Sequence, residues 1–398
     1  MIMLSSTYSM SAMSDSPIID PKSRFHPVYS RTGMVVSQEI IASRIGADIL
    51  ALGGNAVDAA VATGFALAVT LPRAGNLAGG GFMLIHLTRE SKTIALDFRE
   101  VAPARASRDM FLNLHGEVDN QLARSSIKSS GVPGTVAGLL HAHEKYGQLP
   151  LKQVIQPAID LASKGIIVNV DLAHSIVSRA KRLTKNSATK KYYFKSSNEF
   201  YKPGDTLVQT DLADTIRRIA ADGHAGFYEN KTAKLIVEEM IRSGGLITLD
   251  DLKNYRVVER KPICVDYQAK NICSMPPPSS GGVHLLQMLN ILEGWNLGTL
   301  GHNSAAYIHR LVESMRRAYA DRSAYLGDPD FYDVPVNQLI DKRYAEKLRQ
   351  KINLEEASSS ADVYPGLAID PGRLLRNLKN RRKESVETTH FSTRDKWG

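Results

Sequence analysis

The sequence predicts a layered protein in which α-helices pack on β-sheets. Apolar, strand-like segments occur at residues 33–38 and 93–100, helical patterns fill the middle of the chain, and a β-prone segment follows at residues 388–393. This order of strands and helices is typical of a mixed α and β architecture. No break between two independent hydrophobic cores is evident before residue 350. We therefore expect one domain to cover most of the chain.

The first predicted elements are a strand and two helices. Residues 33–38 (GMVVSQ) are short, apolar and β-branched, as is typical of a strand. Apolar residues recur at helical spacing across residues 39–54, and two glycines end that pattern. Asn55 is a favoured N-cap residue and Asp58 lies in the turn behind it, so we expect a second helix to begin there.

A glycine-rich stretch leads into a predicted antiparallel hairpin. Residues 77–81 (LAGGG) precede an apolar run, and residues 93–100 (TIALDFRE) form a second run after a polar turn. The glycines resemble a phosphate-binding loop only superficially, because the GK[ST] ending is missing and a strand follows in place of a helix. We interpret them as sites of close backbone packing.

Helical patterns dominate the rest of the chain, apart from a basic, Tyr-rich surface excursion at residues 180–204. The predicted helical segments lie within residues 129–147, 157–169, 212–223, 230–245, 248–255, 283–295 and 304–331. The last of these carries an apolar stripe at helical spacing, which predicts a face packed on the core. That stripe consists of Ile308, Leu311, Val312, Met315 and Tyr319.

The two cysteines, Cys264 and Cys273, flank a short polar stretch. A two-residue turn at Gln268 and Ala269 would place them directly opposite each other in a hairpin, close enough for a disulfide. Ala269 is a poor residue for such a turn. The residues therefore leave two interpretations open, a disulfide and a pair of buried thiols. Neither cysteine lies in a spacing that is typical of zinc ligands.

The formal charge of +9 raises the question of nucleic-acid binding. Six basic residues lie within residues 373–383 (RLLRNLKNRRK), and without them the remaining charge is +3. Because the basicity is confined to one run, we interpret it as solvated and expect no nucleic-acid partner.

The longest apolar stretch, residues 59–71, has 13 residues, too few to span a membrane. Residues 1–30 resemble a leader or disordered arm without a complete secretory signal.

The tripeptide Thr388-Thr389-His390 is the most reactive-looking pattern in the chain. A threonine hydroxyl is a weak nucleophile unless a base lies beside it. The α-amine of the same residue can be that base, with a pKa near ~8, once the preceding peptide bond is cut. A polar segment ending in Glu387 and a strand after it suit a cut in which the hydroxyl attacks the carbonyl before it. Without further motifs, a Thr-Thr pair in a strand is structural.

Seven motifs in a fixed order supply the further evidence. They are GGNAVDAAVA (53–62), LAGGGFM (77–83), DFREVAPA (97–104), SGVPGTVAGL (130–139), SMPPPSSGGVH (274–284), AYADRSAYLGDPDF (318–331) and ETTHFS (387–392). The chain therefore resembles the γ-glutamyltranspeptidase family of N-terminal nucleophile hydrolases. The resemblance implies an α+β fold, a four-layer αββα sandwich with helices outside two stacked sheets. It also implies a precursor that cuts itself into a large and a small subunit.

The resemblance assigns roles to individual residues. The cut would fall between Glu387 and Thr388, and Thr388 would be the nucleophile that attacks γ-glutamyl amides such as glutathione. Arg99 matches the family's arginine for the substrate α-carboxylate, a role that suits a guanidinium because it pairs bidentately with a carboxylate. The acyl-enzyme would pass to water, an amino acid or a dipeptide. No metal and no organic cofactor are implied, and family members are usually periplasmic or extracellular.

The resemblance also implies an organisation of the chain. We expect a leader over residues 1–30, a large-subunit domain over 31–387 that ends in a flexible polar and basic linker from 356, and the start of a small subunit at 388–398. In the family, the small subunit supplies oxyanion-hole glycines, several central strands and much of the pocket. The sandwich is therefore expected to be incomplete without most of that subunit.

Three functions remain open at this point. The first is a γ-glutamyl transferase and hydrolase that needs a small subunit as its partner. The second is a cephalosporin acylase or poly-γ-glutamate hydrolase with the same nucleophile. The third is a truncated, catalytically incompetent family member. We expect the 398-residue chain alone to be inactive or poorly soluble, because open strand edges and apolar faces favour association.

Overall fold

The structure, a computed structural model, describes residues 28–196, 199–367 and 388–398. Most of the predicted leader, the basic run at 373–383 and Glu387 therefore lie outside the described residues. By its internal contacts the chain divides at Arg31, and Thr32–Gly398 forms the larger unit. The elements described below belong to that unit.

The described strands are short. They are β1 (Gly33–Ser37), β2 (Phe82–Leu87), β3 (Lys92–Asp97), β4 (Ile166–Ile167), β5 (Phe194–Ser196), β6 (Glu199–Phe200), β7 (Thr206–Leu207), β8 (Val258–Arg260), β9 (Ile263–Tyr267), β10 (Lys270–Ser274) and β11 (Phe391–Asp395). The helices are α1 (Ile40–Ala51), α2 (Ala56–Thr70), α3 (Asn120–Ser125), α4 (Thr135–Tyr146), α5 (Leu151–Lys164), α6 (Val170–Ser178), α7 (Ala180–Leu183), α8 (Ser187–Tyr193), α9 (Thr210–Asp222), α10 (Ala225–Tyr228), α11 (Lys231–Ser243), α12 (Leu249–Asn254), α13 (Ser280–Leu292), α14 (Ala305–Tyr325), α15 (Val336–Leu339) and α16 (Lys342–Gln350).

Helix α2 lies at the centre of the larger hydrophobic cluster, as its apolar sequence predicts. Asn55 accepts hydrogen bonds from two backbone N–H groups of the first turn, and Asp58 bonds back to the Asn55 N–H, which completes a capping box. The buried Asp58 carboxylate also accepts from the backbone N–H of Gln148 at 3.0 Å. The motif around Asn55 thus fixes both the start of α2 and the loop after α4.

The predicted hairpin at residues 82–97 is confirmed, and a third strand extends it. Strands β2 and β3 pair antiparallel with Phe82 opposite Asp97, and β3 pairs antiparallel with β8 with Asp97 opposite Val258. The other sheets among the described residues are two-stranded: β1–β11, β4–β7, β5–β6 and β9–β10. The sheet layers are therefore narrow in the described part of the chain.

The β-prone segment predicted at residues 388–393 contributes to a C-terminal strand that pairs with the first strand of the chain. In the structure, β11 pairs antiparallel with the first strand, β1, with Gly33 opposite Asp395 and Ser37 opposite Phe391. The partner precedes β11 by more than three hundred residues, so local sequence gave no sign of it.

The hairpin around the two cysteines is confirmed. Strands β9 and β10 pair with Cys264 opposite Cys273, and the two turn residues, Gln268 and Ala269, both have positive φ angles, 47° and 61°. The structure joins the cysteines in a disulfide with an S–S distance of 2.09 Å. The turn is left-handed as the register requires, even though alanine seldom adopts that conformation.

Two helices begin earlier than the sequence predicts. Helix α5 begins at Leu151, so Pro157 lies inside it and does not mark its start. Val154, Ile155 and Ile159 are buried on one face, and their burial offsets the hydrogen bond that proline cannot donate. Helix α13 begins at Ser280 because the Ser279 side chain caps it.

Helix α14 is turned the opposite way from the prediction. Its buried face carries polar side chains such as Glu313, Arg317 and Asp321, whereas most of the predicted core stripe is exposed. The exposed fractions are 45% for Ile308, 37% for Val312, 36% for Met315 and 48% for Tyr319, and we call these four residues the α14 stripe. The prediction that this stripe packs on the core is wrong.

The buried polar face of α14 is tolerated because its carboxylates are hydrogen-bonded. Glu313 Oε2 accepts from Arg317 Nη1 at 2.7 Å, and Asp321 Oδ2 accepts from Gln287 Nε2 at 2.6 Å and from the Tyr344 hydroxyl at 2.8 Å. Burial raises the pKa of the Asp321 carboxyl. Satisfied hydrogen bonds make such burial tolerable.

The same carboxylates hold the segment that leads towards residue 367. Glu313 Oε1 accepts from the Ser358 N–H at 3.0 Å, and Asp321 Oδ1 accepts from the Gly366 N–H at 2.8 Å. Residues 356–367 have no helix or strand, as their polar composition suggests, but they are bonded to α14 through Ser358, Ser360, Gly366 and Leu367. The linker predicted from residue 356 is thus attached to the body of the protein at least as far as Gly366.

Candidate active site

Thr388 lies on the wall of a large cavity, just before β11 begins. The cavity has a volume of about 1040 Å³, and its wall includes residues 388–395, strand β2 and the glycine pair Gly80–Gly81. Thr388 itself is exposed. Its hydroxyl therefore borders a space large enough for a small peptide-like substrate.

Alternate side chains of the terminal segment face opposite ways, as expected for an extended chain. Thr388 and His390 are exposed, whereas Thr389 and Phe391 are partly buried. His390 Nε2 lies 3.1 Å from Ser392 Oγ on the exposed face. On the inner face, the Thr389 hydroxyl is buried and has no hydrogen-bond partner among the described residues. The strand thus presents Thr388 to solvent and directs Thr389 inwards.

Strand β11 is held firmly against the start of α2. The Thr393 hydroxyl donates to the Ala56 carbonyl at 2.7 Å, and the Ala56 N–H donates to Asp395 Oδ2 at 2.9 Å. Phe391 packs against the large hydrophobic cluster. The segment behind Thr388 is therefore rigid, which is what a nucleophile needs for a fixed angle of attack.

The glycine-rich stretch is a packing feature, as the sequence analysis proposed. The Gly81 N–H donates to the Phe98 carbonyl at 3.2 Å, and the Phe98 N–H donates back at 3.1 Å. A Cβ at Gly80 would lie 2.6 Å from the Glu100 backbone nitrogen, closer than real Cβ contacts. Only glycine lets the two backbones approach this closely. The stretch therefore forms a wall of the cavity and brings the residues after β3 close to it.

Arg99 follows β3 and stands beside the cavity, but it is not part of the lining. Its guanidinium carbon lies 6.0 Å from the centroid of the Phe82 ring, and Phe82 lines the cavity. The Arg99 side chain is exposed and donates no hydrogen bond to another described residue. Arg99 thus contacts a residue of the same cavity wall on which Thr388 lies.

Sequence reasoning missed the residues that hold Arg99. Asp97 accepts from the Arg99 N–H at 3.1 Å and from Arg260 Nε at 2.8 Å, and Arg260 also pairs with Asp330. The Arg260 guanidinium lowers the pKa of the Asp330 carboxyl. Asp97 and Asp330 belong to two of the seven motifs, which was the available signal. Nothing in the sequence indicated that Arg260 joins them.

Two further findings concern the described residues. Within residues 28–196, 199–367 and 388–398, no group of three or more His, Cys, Asp or Glu side chains is arranged to hold a metal ion. In the same ranges, no helix has the length and apolar character needed to cross a membrane.

Comparisons with known proteins identify the family of this chain. The family model described as Gamma-glutamyltranspeptidase matches residues 42–398. The chain is 47% identical over 374 residues to the Glutathione hydrolase proenzyme of Escherichia coli K12, covering 94% of this chain and 62% of that relative. It is 38% identical over 379 residues to the Acylase ACY 1 proenzyme of Pseudomonas sp. SE83, covering 94% of this chain and 64% of the relative. The chain thus spans less than two thirds of these relatives.

Solved structures give the same assignment. The crystal structure of Helicobacter pylori gamma-glutamyltranspeptidase has a TM-score of 0.83 and 45% identity, over 85% of this chain and 97% of that chain. The cephalosporin acylase from Bacillus halodurans has a TM-score of 0.77 and 25% identity, over 96% of this chain and 67% of that chain. These likenesses confirm the predicted fold class of the N-terminal nucleophile hydrolases. With the ordered motifs and the family match, they show that the chain belongs to the gamma-glutamyltranspeptidase family.

Proposed function

We propose that this chain carries the nucleophile and part of the donor site of a γ-glutamyl transferase and hydrolase that acts on glutathione and related γ-glutamyl amides. The observation that carries the proposal is the position of Thr388, exposed on the cavity wall at the head of a strand that is bonded to α2. A hydroxyl in this position can meet a substrate carbonyl while its backbone stays fixed.

The proposed maturation uses Thr388 twice. Its hydroxyl attacks the carbonyl carbon of Glu387, the peptide nitrogen becomes an amine, and the resulting ester is hydrolysed by water. The new α-amine, with a pKa near ~8, is partly unprotonated at neutral pH and accepts the hydroxyl proton in the next reaction. The product is a threonine that carries its own general base.

The catalytic cycle follows from the same groups. The Thr388 hydroxyl attacks the γ-carbonyl of the donor, the amine transfers the proton to the leaving amide nitrogen, and a γ-glutamyl ester remains on Thr388. Water, an amino acid or a dipeptide then takes the glutamyl group and restores the hydroxyl. Arg99 binds the donor α-carboxylate through its two-pronged guanidinium. This chain supplies no residue that we assign to the oxyanion hole, a function worth roughly 10²–10³ in rate.

A small-subunit polypeptide is the proposed partner. Strands β2 and β11 both line the cavity, and among the described residues each of them pairs with one neighbouring strand only. The α14 stripe is also exposed. Additional strands bonded to these edges, with a layer covering the stripe, would complete the sandwich and bring the missing pocket residues.

An acylase is the second candidate function. The similarity to the Pseudomonas acylase and to the Bacillus halodurans cephalosporin acylase favours it specifically. A poly-γ-glutamate hydrolase would use the same nucleophile. Comparing turnover of γ-glutamyl-p-nitroanilide, glutaryl cephalosporins and poly-γ-glutamate on one preparation separates the three functions.

We also propose that the enzyme works in an oxidising, exported compartment, because a disulfide such as that between Cys264 and Cys273 is typical of such compartments.

The test uses this chain with and without the remaining C-terminal region of the Escherichia coli relative, expressed as a separate polypeptide. We expect the complemented chain to be cut before Thr388 and to release p-nitroaniline from γ-glutamyl-p-nitroanilide. Thr388→Ala should abolish both cutting and turnover, whereas Thr388→Ser, which keeps a hydroxyl, should retain measurable cutting. Turnover that survives Thr388→Ala would rule out the proposed nucleophile, and a complex that assembles without any turnover would favour the incompetent family member.

A further inference from the structure

We propose that Arg260 is a positioning residue for Arg99: it holds the Asp97 carboxylate in the orientation that fixes the Arg99 backbone for binding of the donor carboxylate. The proposal deepens the proposed function and rests on it for the role of Arg99. It concerns a residue that lies 163 positions away from Asp97 in the sequence and lines no part of the described cavity.

Asp97 is the bridge between the two arginines. It is the last residue of β3 and only 6% exposed. One of its carboxylate oxygens, Oδ2, accepts from Arg260 Nε at 2.8 Å, while the other, Oδ1, accepts from the Arg99 backbone N–H at 3.1 Å. The orientation of this single carboxylate therefore sets the position of both neighbours.

Arg260 is itself fixed by two restraints. Its backbone pairs with Ala95 in the β3–β8 ladder, which places its side chain next to the end of β3. Its two terminal nitrogens donate to the two carboxylate oxygens of Asp330, at 3.0 and 2.7 Å. A bidentate pair of this kind restricts rotation of the guanidinium. The backbone pairing by itself places the Nε–H next to Asp97, and the bidentate pair adds a second restraint.

The backbone of Arg99 is held on both sides while its side chain stays available. Asp97 accepts from its N–H, and the Tyr255 hydroxyl donates to its carbonyl at 2.8 Å. The guanidinium, in contrast, stands over Phe82 and donates no hydrogen bond to another described residue. This arrangement fixes the root of the side chain and leaves its charged end free for a ligand carboxylate.

The two carboxylates that pair with Arg260 differ in their exposure to solvent, and an experiment can use this difference. The Asp97 side chain is 7% exposed, whereas that of Asp330 is 53% exposed. A buried carboxylate that loses its cation reorients or takes up a proton, whereas an exposed one is solvated by water. Removing Arg260 should therefore disturb Arg99, and removing the Asp330 charge should disturb it far less.

The experiment measures the Arg99 backbone directly and donor binding separately. Hydrogen–deuterium exchange of the Arg99 N–H is recorded in the full chain for the wild type, Arg260→Gln and Asp330→Asn. We expect exchange to be about tenfold or more faster in Arg260→Gln, as the N–H loses a correctly oriented acceptor, and little changed in Asp330→Asn. Exchange at Ala59, deep in α2, is the internal control for global unfolding.

In the complemented chain, Arg260→Gln should raise KM for γ-glutamyl-p-nitroanilide about tenfold or more while kcat changes much less, because uniform donor binding is lost. Arg260→Lys is the second variant. It keeps the positive charge but loses the planar guanidinium with its several N–H donors. If Arg260→Gln fails to fold, we expect Arg260→Lys to fold and still to show faster exchange of the Arg99 N–H.

Unchanged Arg99 exchange in both folded Arg260 variants would overturn the proposal. So would a fall in kcat with unchanged KM, since that points to a structural effect on the nucleophile. If the wild-type complex shows no turnover at all, the proposed function fails. The exchange measurement still decides whether Arg260 positions Arg99.

Discussion

The buried hydroxyl of Thr389 destabilises the folded chain. Its hydroxyl is buried next to the cavity without a hydrogen-bond partner among the described residues. Leaving a buried hydroxyl unsatisfied costs about 1–3 kcal/mol relative to solvating or removing it. The adjacent Thr388 has the opposite situation, an exposed hydroxyl beside the same space. The two adjacent threonines therefore have different environments.

The first prediction concerns Thr389→Val. Valine has nearly the same shape but no hydroxyl, so we expect the free energy of unfolding to rise by about 1 kcal/mol, measured by urea denaturation. Thr389→Ser is the matched control, because it keeps the hydroxyl and loses a methyl group, and it should not stabilise the chain. A clear loss of stability in Thr389→Val would mean that the hydroxyl has a partner after all.

At this scale, the sequence assigns candidate roles to residues that lie in motifs. Thr388 lies on the cavity wall, and Arg99 contacts Phe82 of the same wall. The proposed roles of Asp97 and Arg260 depend on a hydrogen bond across 163 positions, and a single sequence contains no record of such a pairing. Motifs therefore indicate candidate reactive groups but give no sign of a distant supporting residue such as Arg260.

Among the elements, β8 and α4 are joined by one carboxylate with several donors. Glu259 on β8 accepts from Lys145 Nζ at 2.7 Å and lies 2.9 Å from His141 Nε2. The hydrogen bond from Lys145, followed by that from His141, lowers the pKa of Glu259 to about 2. The ionised form is therefore favoured in the folded state.

The second prediction follows from the sign of that shift. The folded-state pKa lies below the unfolded value near ~4.3, so the stabilisation is present above that unfolded value and is lost as pH falls towards 2. We expect Tm to drop between pH 5 and 3 more steeply in the wild type than in Glu259→Gln. The control is Glu346→Gln on α16, which removes the same charge from an exposed position elsewhere. Equal profiles for the wild type and Glu259→Gln would contradict the prediction.

Helix α14 shows which part of an element a sequence can predict. Its existence and approximate length follow from periodicity, and the structure confirms both. Periodicity does not predict which face of the helix is buried, because the buried polar face is stabilised by distant groups such as Gln287, Tyr344 and the Ser358 backbone. Apolar spacing favours burial of the other face only when no such partners exist.

At the scale of the whole molecule, the sequence predicted a mixed α and β fold, most helices and two local hairpins, but not the long-range strand pairing. The first and last described strands pair with each other, and no local pattern specifies a partner more than three hundred residues away. Among the described residues, the larger unit contains two separate hydrophobic clusters, one around α2 and a smaller one around α13, α14 and α16. Sequence alone gave no indication of this division.

The third prediction concerns the α14 stripe on the surface of the whole chain. The double variant Val312→Lys/Met315→Glu leaves the net charge unchanged and replaces two exposed apolar residues. We expect it to raise the solubility of the chain alone, as measured by light scattering, and to weaken binding of the complementary polypeptide at least tenfold. Ile241→Lys on α11 is the control, because it removes a separate exposed apolar residue. Undiminished complementation by the double variant would show that the partner does not cover the stripe.

The pairing of β1 with β11 has a consequence for the protein after processing. While the chain is continuous, β11 is tethered, and closing even a very long loop adds only a slowly growing entropic cost. The proposed scission before Thr388 would remove the tether, so retention of the strand would become a bimolecular event governed by mass action. Five ladder positions and two side-chain bonds to Ala56 would then contribute to that retention. We therefore expect dilution to release the proposed nucleophile more readily from the cut protein than from its uncut precursor.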